Sequence, residues 1–217
     1  MTESIEAAAS DSAPPAGPRV TKRRGETRRR MLDAAYEVLA EVGFGRSKPE
    51  RICERAGYTR GAFYSQFNSM DELFLALWEE KAAQLLADVT AVLDREPVTD
   101  IREVRRMVDH VLDAIPMDEK WFRITLEFAA HALRNPELRP VMVAREEAII
   151  ATLLPVVETL LERVGRKVTD REAFGQALVA VQDGTMTQCL MEPDKALIRE
   201  RRADLFMRVV LSFSEAE

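Results

Sequence analysis

Apolar residues recur every three or four positions along almost the whole chain. Met31, Leu32, Ala35, Val38, Leu39 and Val42 form one such stripe, which predicts an amphipathic helix from about Glu26 to Val42, ended by Gly43 and Gly45. Two short helices follow within residues 48–67. Ile52 and Cys53 are the apolar positions of the first, Ser47 is its expected cap, and Pro49 stands in its first turn, where a missing N–H costs nothing. Ala56-Gly57-Tyr58 makes the turn, and Gly57 can take the positive φ that a sharp helix end requires. Thr59 caps the second helix. Phe63 and Phe67, four apart, share its buried face, whereas Arg60, Gly61, Tyr64 and Ser65 fall on other faces.

A longer stripe of Leu73, Phe74, Leu77, Trp78, Leu85, Leu86, Val89 and Leu93 predicts a fourth helix from Asn68-Ser69 to about Asp94, with Asp71 and Glu72 favourable in its first turn. Helical segments are then expected at Ile101–Ile115, Asp118–Leu133 and Asn135–Val164, the last kinked at the interior Pro155. A loop at Gly165-Arg166-Lys167 precedes a segment capped by Thr169 that runs to about Met191, and a final helix reaches about Phe213. No stretch alternates with the period of two that marks a half-buried strand. The expected class is all-α, with about nine helices: a three-helix head containing a helix-turn-helix, then a helical body.

Composition narrows the class. With 47% hydrophobic and 31% charged residues, the 217-residue chain reads as an ordinary soluble globular protein. Cys53 and Cys189 are far apart and form no CxxC, and His110 and His131 make no ligand cluster with them, so neither a metal site nor a disulfide framework is expected. The first residues lack the basic-then-apolar order of a signal peptide, and no apolar run is long enough to cross a bilayer. The expectation is a cytoplasmic protein with no cofactor and no membrane partner.

The net charge of −6 is unevenly spread. Residues 1–18, rich in Ala, Ser and Pro, read as a disordered tail. Residues 19–81 carry 13 Lys/Arg against 10 Asp/Glu, and residues 82–217 carry 18 against 24. The helix-turn-helix therefore sits in the one net-positive stretch, as suits a DNA-binding head (19–81) on an acidic body (82–217). The basic run from Arg19 to Arg30 reads either as a solvated tail entering the first helix or as an arm touching phosphates beside the main site. A short helix with small, polar and basic residues near its start can enter a major groove.

The order Ala56-Gly57-x-Thr59-x-Gly61-x-x-Tyr64-x-x-Phe67, followed by Asn68-Ser69-Met70-Asp71-Glu72-Leu73, resembles the tetracycline-repressor (TetR) family of bacterial transcription regulators. The specific part spans roughly Gly25 to Lys81; the remainder is similar only in length and helical layout. The resemblance implies that Gly61 lets the recognition helix approach the DNA backbone, that Tyr64 contacts phosphate, and that Thr59 and Arg60 contact phosphate or base edges. Ala62, Ser65 and Gln66 complete the expected DNA face, and Ser47 and Lys48 suit a phosphate ahead of it. Met70 stands where the family commonly has lysine, which puts one phosphate contact in doubt. Cys53 replaces a common alanine and reads as core.

The same resemblance implies an effector pocket in the body and a two-fold dimer. Met107, His110, Trp121, Phe122, Glu127, Phe128, His131, Gln182 and Met186 are the pocket candidates, since apolar walls with a few polar groups suit a small molecule. Leu178, Val181, Leu205, Phe206, Val209, Val210 and Phe213 are the dimer candidates, on the last two helices. The expected function is a ligand-responsive repressor, released from a palindromic double-stranded operator by a small apolar effector. The competing readings are a helical adaptor docking a protein through its last helices, and a helical enzyme. The enzyme has little support: there is no Gly-rich phosphate loop, nucleophile elbow, HExxH or paired metal ligand.

Overall fold

A computed structural model describes residues 18–95 and 101–216. Among them the chain forms nine α-helices: α1 (Pro18–Val42), α2 (Pro49–Ala56), α3 (Arg60–Tyr64), α4 (Met70–Arg95), α5 (Ile101–Ala114), α6 (Glu119–Arg134), α7 (Arg139–Arg163), α8 (Arg171–Met191) and α9 (Ala196–Ser212). The tail expected over 1–18 lies, apart from Pro18, outside the described residues.

Local rules explain most boundaries. Gly57 ends α2 in the left-handed region (φ 73°, ψ 32°), and Tyr58 N–H reaches back to Cys53 O at 2.9 Å. The Thr59 hydroxyl accepts from Ala62 N and opens α3. Ser69 caps α4 by accepting from Glu72 N, while the Glu72 carboxylate accepts from Asn68 N at 2.7 Å. Asp118 caps α6 through Trp121 N at 2.9 Å.

Four expectations are corrected. α1 starts at Pro18 rather than near Glu26, so the basic run belongs to the helix. Ser47 does not cap α2: its hydroxyl donates to Gly43 O at 2.8 Å, the side chain is buried, and Lys48 occupies the cap position without a side-chain bond. Asp170, not Thr169, caps α8, because the Thr169 hydroxyl is turned onto Phe213 O. Residues 166–168 are not a loop: β1 (Arg166–Val168) pairs antiparallel with β2 (Ser214–Ala216), Val168 opposite Ser214. Arg166 Nε locks the ribbon by donating to the buried Ser214 hydroxyl at 2.9 Å.

The helices bury two cores. The head core joins Met31, Val38 and Leu39 of α1 with Ile52, Cys53, Phe63, Phe67, Leu73 and Phe74. The body core joins Val89 of α4 with Met107, Leu154, Leu161, Phe174 and Val210. α4 serves both; at 26 residues it extends about 39 Å. The unexpected member is α6. Ile124 and Phe128, well past the expected head boundary, are fully buried in the head core. The Phe128 ring stacks on Phe74 at 3.8 Å between centroids, and Phe44 meets both rings edge-on.

Phe128→Ala should therefore destabilise the protein by about 3–5 kcal/mol, the usual cost of emptying a buried aromatic site. Leu133→Ala on the same helix, at a 67% exposed position, should stay within about 0.5 kcal/mol. Urea denaturation of the two variants compares them; similar losses would show that α6 does not insert into the head.

Candidate functional site

The solvent face of α3 carries the residues expected to meet DNA. Thr59, Arg60, Gly61, Tyr64 and Ser65 are exposed, and Ala62 and Gln66 are half-buried. Tyr64 projects with 48% of its surface free, held edge-on by Phe63 beneath it. Arg60 pairs with Glu50 of α2 at 3.0 Å and lies over the Tyr64 ring. A Cβ built on Gly61 would meet only the Thr59 hydroxyl oxygen, at 3.7 Å, so nothing inside the chain demands glycine there. The Ser65 hydroxyl is turned inward onto Ala62 O. Lys48 is exposed, unlike Ser47. Met70 packs against the head core, which accounts for an apolar residue at the start of α4.

The basic end of α1 lies beside this face. Arg24 reaches Ser65 O at 3.4 Å, and the Arg28 guanidinium lies 4.7 Å from the centre of the Phe67 ring. Arg23, Arg24 and Thr27 share a shallow hollow with Tyr58, Ala62, Ser65 and Gln66. Sequence reasoning had the basic run adjacent only in order along the chain; the helix brings it into contact.

In the body, α4 to α9 enclose a cavity of about 530 Å³, within the range that holds a drug-sized molecule. Its walls are mainly aliphatic, with Trp78, Trp121 and Phe122 as aromatic panels. Of the nine pocket candidates, Met107, Trp121, Phe122, Gln182 and Met186 line it; His110, Glu127, Phe128 and His131 do not. Three of those four belong to the junction between head and body. Phe128 is in the head core. Glu127 accepts from Phe44 N at 2.7 Å. His131 Nε2 lies 3.1 Å from Asp71 at the start of α4.

The reason is the geometry of α6. Asp118, Trp121, Phe122, Thr125, Leu126 and Ala129 follow helical spacing along one side and line the cavity. Ile124, Phe128 and Ala132 follow the same spacing on the adjoining sector and are buried, and Trp121 sits at the seam, lining the cavity while stacking on Phe74 at 5.9 Å between ring centres. Polar contacts fasten the helix to α1. Tyr36 Oη donates to both Asp118 carboxylate oxygens, at 2.7 and 2.8 Å, and Arg123 donates to Ala40 O at 2.7 Å. Burial, then the hydrogen bond and charge of Asp118, push the Tyr36 hydroxyl well above its ordinary range. Asp118 thus touches α1, caps α6 and faces the cavity.

Sequence reasoning missed several polar lining groups. Glu146 of α7 and Asp183 of α8 both line the cavity. Each keeps accessible surface, yet the protein around them raises both carboxyls above the usual range by burial, and the Asp183 charge adds to the rise at Glu146. Asp183 was readable from its spacing one residue after Gln182; no pattern pointed to Glu146, on an otherwise solvated stretch of α7. Arg202 is 2% exposed, donates to Gln182 Oε1 at 2.8 Å and lies over Phe206, and burial lowers its guanidinium from the usual range.

The dimer candidates are largely turned inward. Leu178, Phe206 and Val210 line the cavity, and Phe213 stacks on Phe174. Val209 packs on the body core, Val181 is half-buried, and Leu205 is the most exposed of the seven, at 42%. The apolar residues that α9 turns outward are Leu197, Leu205 and Leu211.

Comparison with known proteins agrees with this layout. Residues 31–77 match the family model for bacterial regulatory proteins of the tetR family, and residues 100–213 match the C-terminal model of BetI-type transcriptional repressors. The transcriptional regulator UidR of Escherichia coli K12 is 23% identical over 178 residues, 82% of this chain and 83% of that protein. The regulator AcrR of Shigella flexneri is 30% identical over 109 residues, so the match spans about half of each chain. Two solved structures share the fold. A Saccharomonospora viridis regulator in complex with choline has a TM-score of 0.65 and 19% identity, covering 88% of this chain and 99% of that one. FadR of Bacillus subtilis in complex with stearoyl-CoA has a TM-score of 0.62 and 21% identity, covering 83% and 96%.

The junction makes its own prediction. Gly43 has φ 80°, and a Cβ there would stand 2.5 Å from Glu127 Oε2. Glu127→Ala should cost about 1–3 kcal/mol through the lost partner of Phe44 N. Gly43→Ala should cost at least as much in the native chain but less in the Glu127→Ala background, where only the backbone strain of about 1–3 kcal/mol remains. A double-mutant cycle by denaturation measures that coupling, and strictly additive losses would refute the contact.

Proposed function

The chain belongs to the tetR family of bacterial regulatory proteins, and from that premise we propose that it is a homodimeric repressor released from a palindromic operator by a small effector. The observation that carries the reading is α6, which lines the body cavity and fills the head core from adjoining faces, with Trp121 touching both. A molecule entering the cavity touches the helix that holds α1 in place. The effector need favour the released arrangement by only about 1–3 kcal/mol.

On the DNA side, the exposed Arg60, Tyr64 and Thr59 support a recognition role for α3, and Lys48 and the basic end of α1 support phosphate contacts around it. Two copies would set their α3 helices in successive major grooves, about 34–36 Å apart. The room around Gly61 fits this reading, since the need for a small residue would come from the docked backbone. Ser47 is withdrawn from the set, because its hydroxyl is buried against Gly43 O. No helix among the described residues is long and apolar enough to cross a membrane.

The test is gel retardation on DNA upstream of the protein's own gene, and absence of any retarded palindromic fragment at low salt would overturn the reading. Tyr64→Phe should weaken all fragments alike, whereas Arg60→Ala should also flatten the preference between operator variants. Glu50→Gln, which frees Arg60 from its exposed ion pair, should tighten binding by less than about tenfold.

The dimer face is assigned to the outward side of α8 and α9, with Leu197, Leu205 and Leu211 in place of the cavity-lining residues. Leu205→Glu should convert a dimer to a monomer in sedimentation experiments while preserving helicity. An unchanged dimer would move the interface elsewhere.

A further inference from the structure

The body cavity is apolar in area but acidic in charge. Four carboxylates line it, Asp88, Asp118, Glu146 and Asp183, against one basic residue, Lys81. Two of the four are committed: Asp118 to Tyr36 and to the cap of α6, Asp88 to Gln84 at 2.9 Å. Glu146 and Asp183 have no hydrogen-bond or ion-pair partner for their carboxylates among the described residues. They stand on neighbouring helices, close enough for the charge of one to act on the other, and burial already disfavours their ionisation. Lys81 does not neutralise them, since its ammonium sits over the Tyr36 ring at 4.3 Å.

Both side chains keep accessible surface, so the pair can meet a ligand, and the protein around them makes a positive group the favoured complement. Trp121 and Phe122 present ring surfaces in the same chamber, which attract a cation and pack against an apolar body, while the Trp78 ring carries the Arg145 guanidinium at 6.0 Å. We propose that the effector is a lipophilic organic cation, an amine, quaternary ammonium or phosphonium centre carrying a bulky apolar body, with its charge between Glu146 and Asp183 and its body against the aromatic panels. The proposal rests on the cavity being the effector site of the reading above, and it names the ligand class that reading leaves open. An anionic headgroup would add a third negative charge beside the pair. Two guanidiniums near it are outside the lining: Arg202 is bonded to Gln182, and Arg145, with a buried Nε, lies over the Trp78 ring at 6.0 Å.

The chain has two tryptophans, Trp78 and Trp121, and both line the cavity, so intrinsic fluorescence reports occupancy without a label. Tetraphenylphosphonium and tetraphenylborate have nearly the same shape and opposite charge. The expected result on the full chain is saturable quenching by the phosphonium, with the borate binding at least tenfold more weakly. The double variant Glu146→Gln/Asp183→Asn should lose that discrimination and stay folded by circular dichroism, with a melting temperature at or above that of the native chain, because it removes two uncompensated charges. Equal or tighter binding of the borate to the native chain would overturn the proposal. So would undiminished phosphonium binding by the folded variant, which would mark attraction to the acidic surface in general. Gel retardation with the phosphonium present separates the two readings. Quenching without release from DNA would fail the regulatory reading and support the ligand class, and release by the borate alone would do the reverse.

Discussion

The stacking of Phe128 on Phe74 is the contact on which the rest of the molecule depends. It inserts a helix of the body into the core of the head, so the two parts share apolar surface that neither could expose to water cheaply. Once Phe128 is buried there, helical geometry sets the neighbouring sector of α6. Phe122 and Leu126 turn to the cavity, and Trp121, nearly in line with Phe128, both lines the cavity and stacks on Phe74. One helix thereby joins the cavity wall to the head core.

That arrangement gives a physical account of how occupancy of the cavity reaches the DNA face. Packed cores are not continuously deformable, so a displaced helix moves what it is packed into. Here the moved parts are specific: α1 through Tyr36 and Ala40, and the α1–α2 corner through Glu127 and Phe44. α4 contributes a second route, since it runs from the head core at Leu73 to the body core at Val89. α6 makes more polar contacts with the head than its place in the chain would lead one to expect.

Charge is distributed to match. The head sets Arg24 and Arg28 of α1 beside α3, where Arg60 pairs with Glu50. The body sets Glu146 and Asp183 on the cavity wall, where both keep accessible surface.

The helix-turn-helix was legible along the chain because every decision in it is local. Gly57 has the only backbone that turns so sharply after α2, Thr59 satisfies the N–H groups that follow it, and Phe63 and Phe67 share a face by spacing alone. The nine helices were legible for the same reason, since apolar spacing and caps are properties of neighbours. The three-residue ribbon of Arg166–Val168 with Ser214–Ala216 was not, because so short a pairing has no period and its partner is 48 residues away at Ser214. Nor was the division of α6 between cavity and core. Its sequence carries one broad apolar sector, and nothing in the spacing says which part of it meets Phe74. The same ambiguity turned Leu178, Phe206 and Val210 inward, away from the dimer face they were expected to form. Periodicity identifies a buried face but is silent on what buries it; that assignment belongs to the packing of helices distant in the chain.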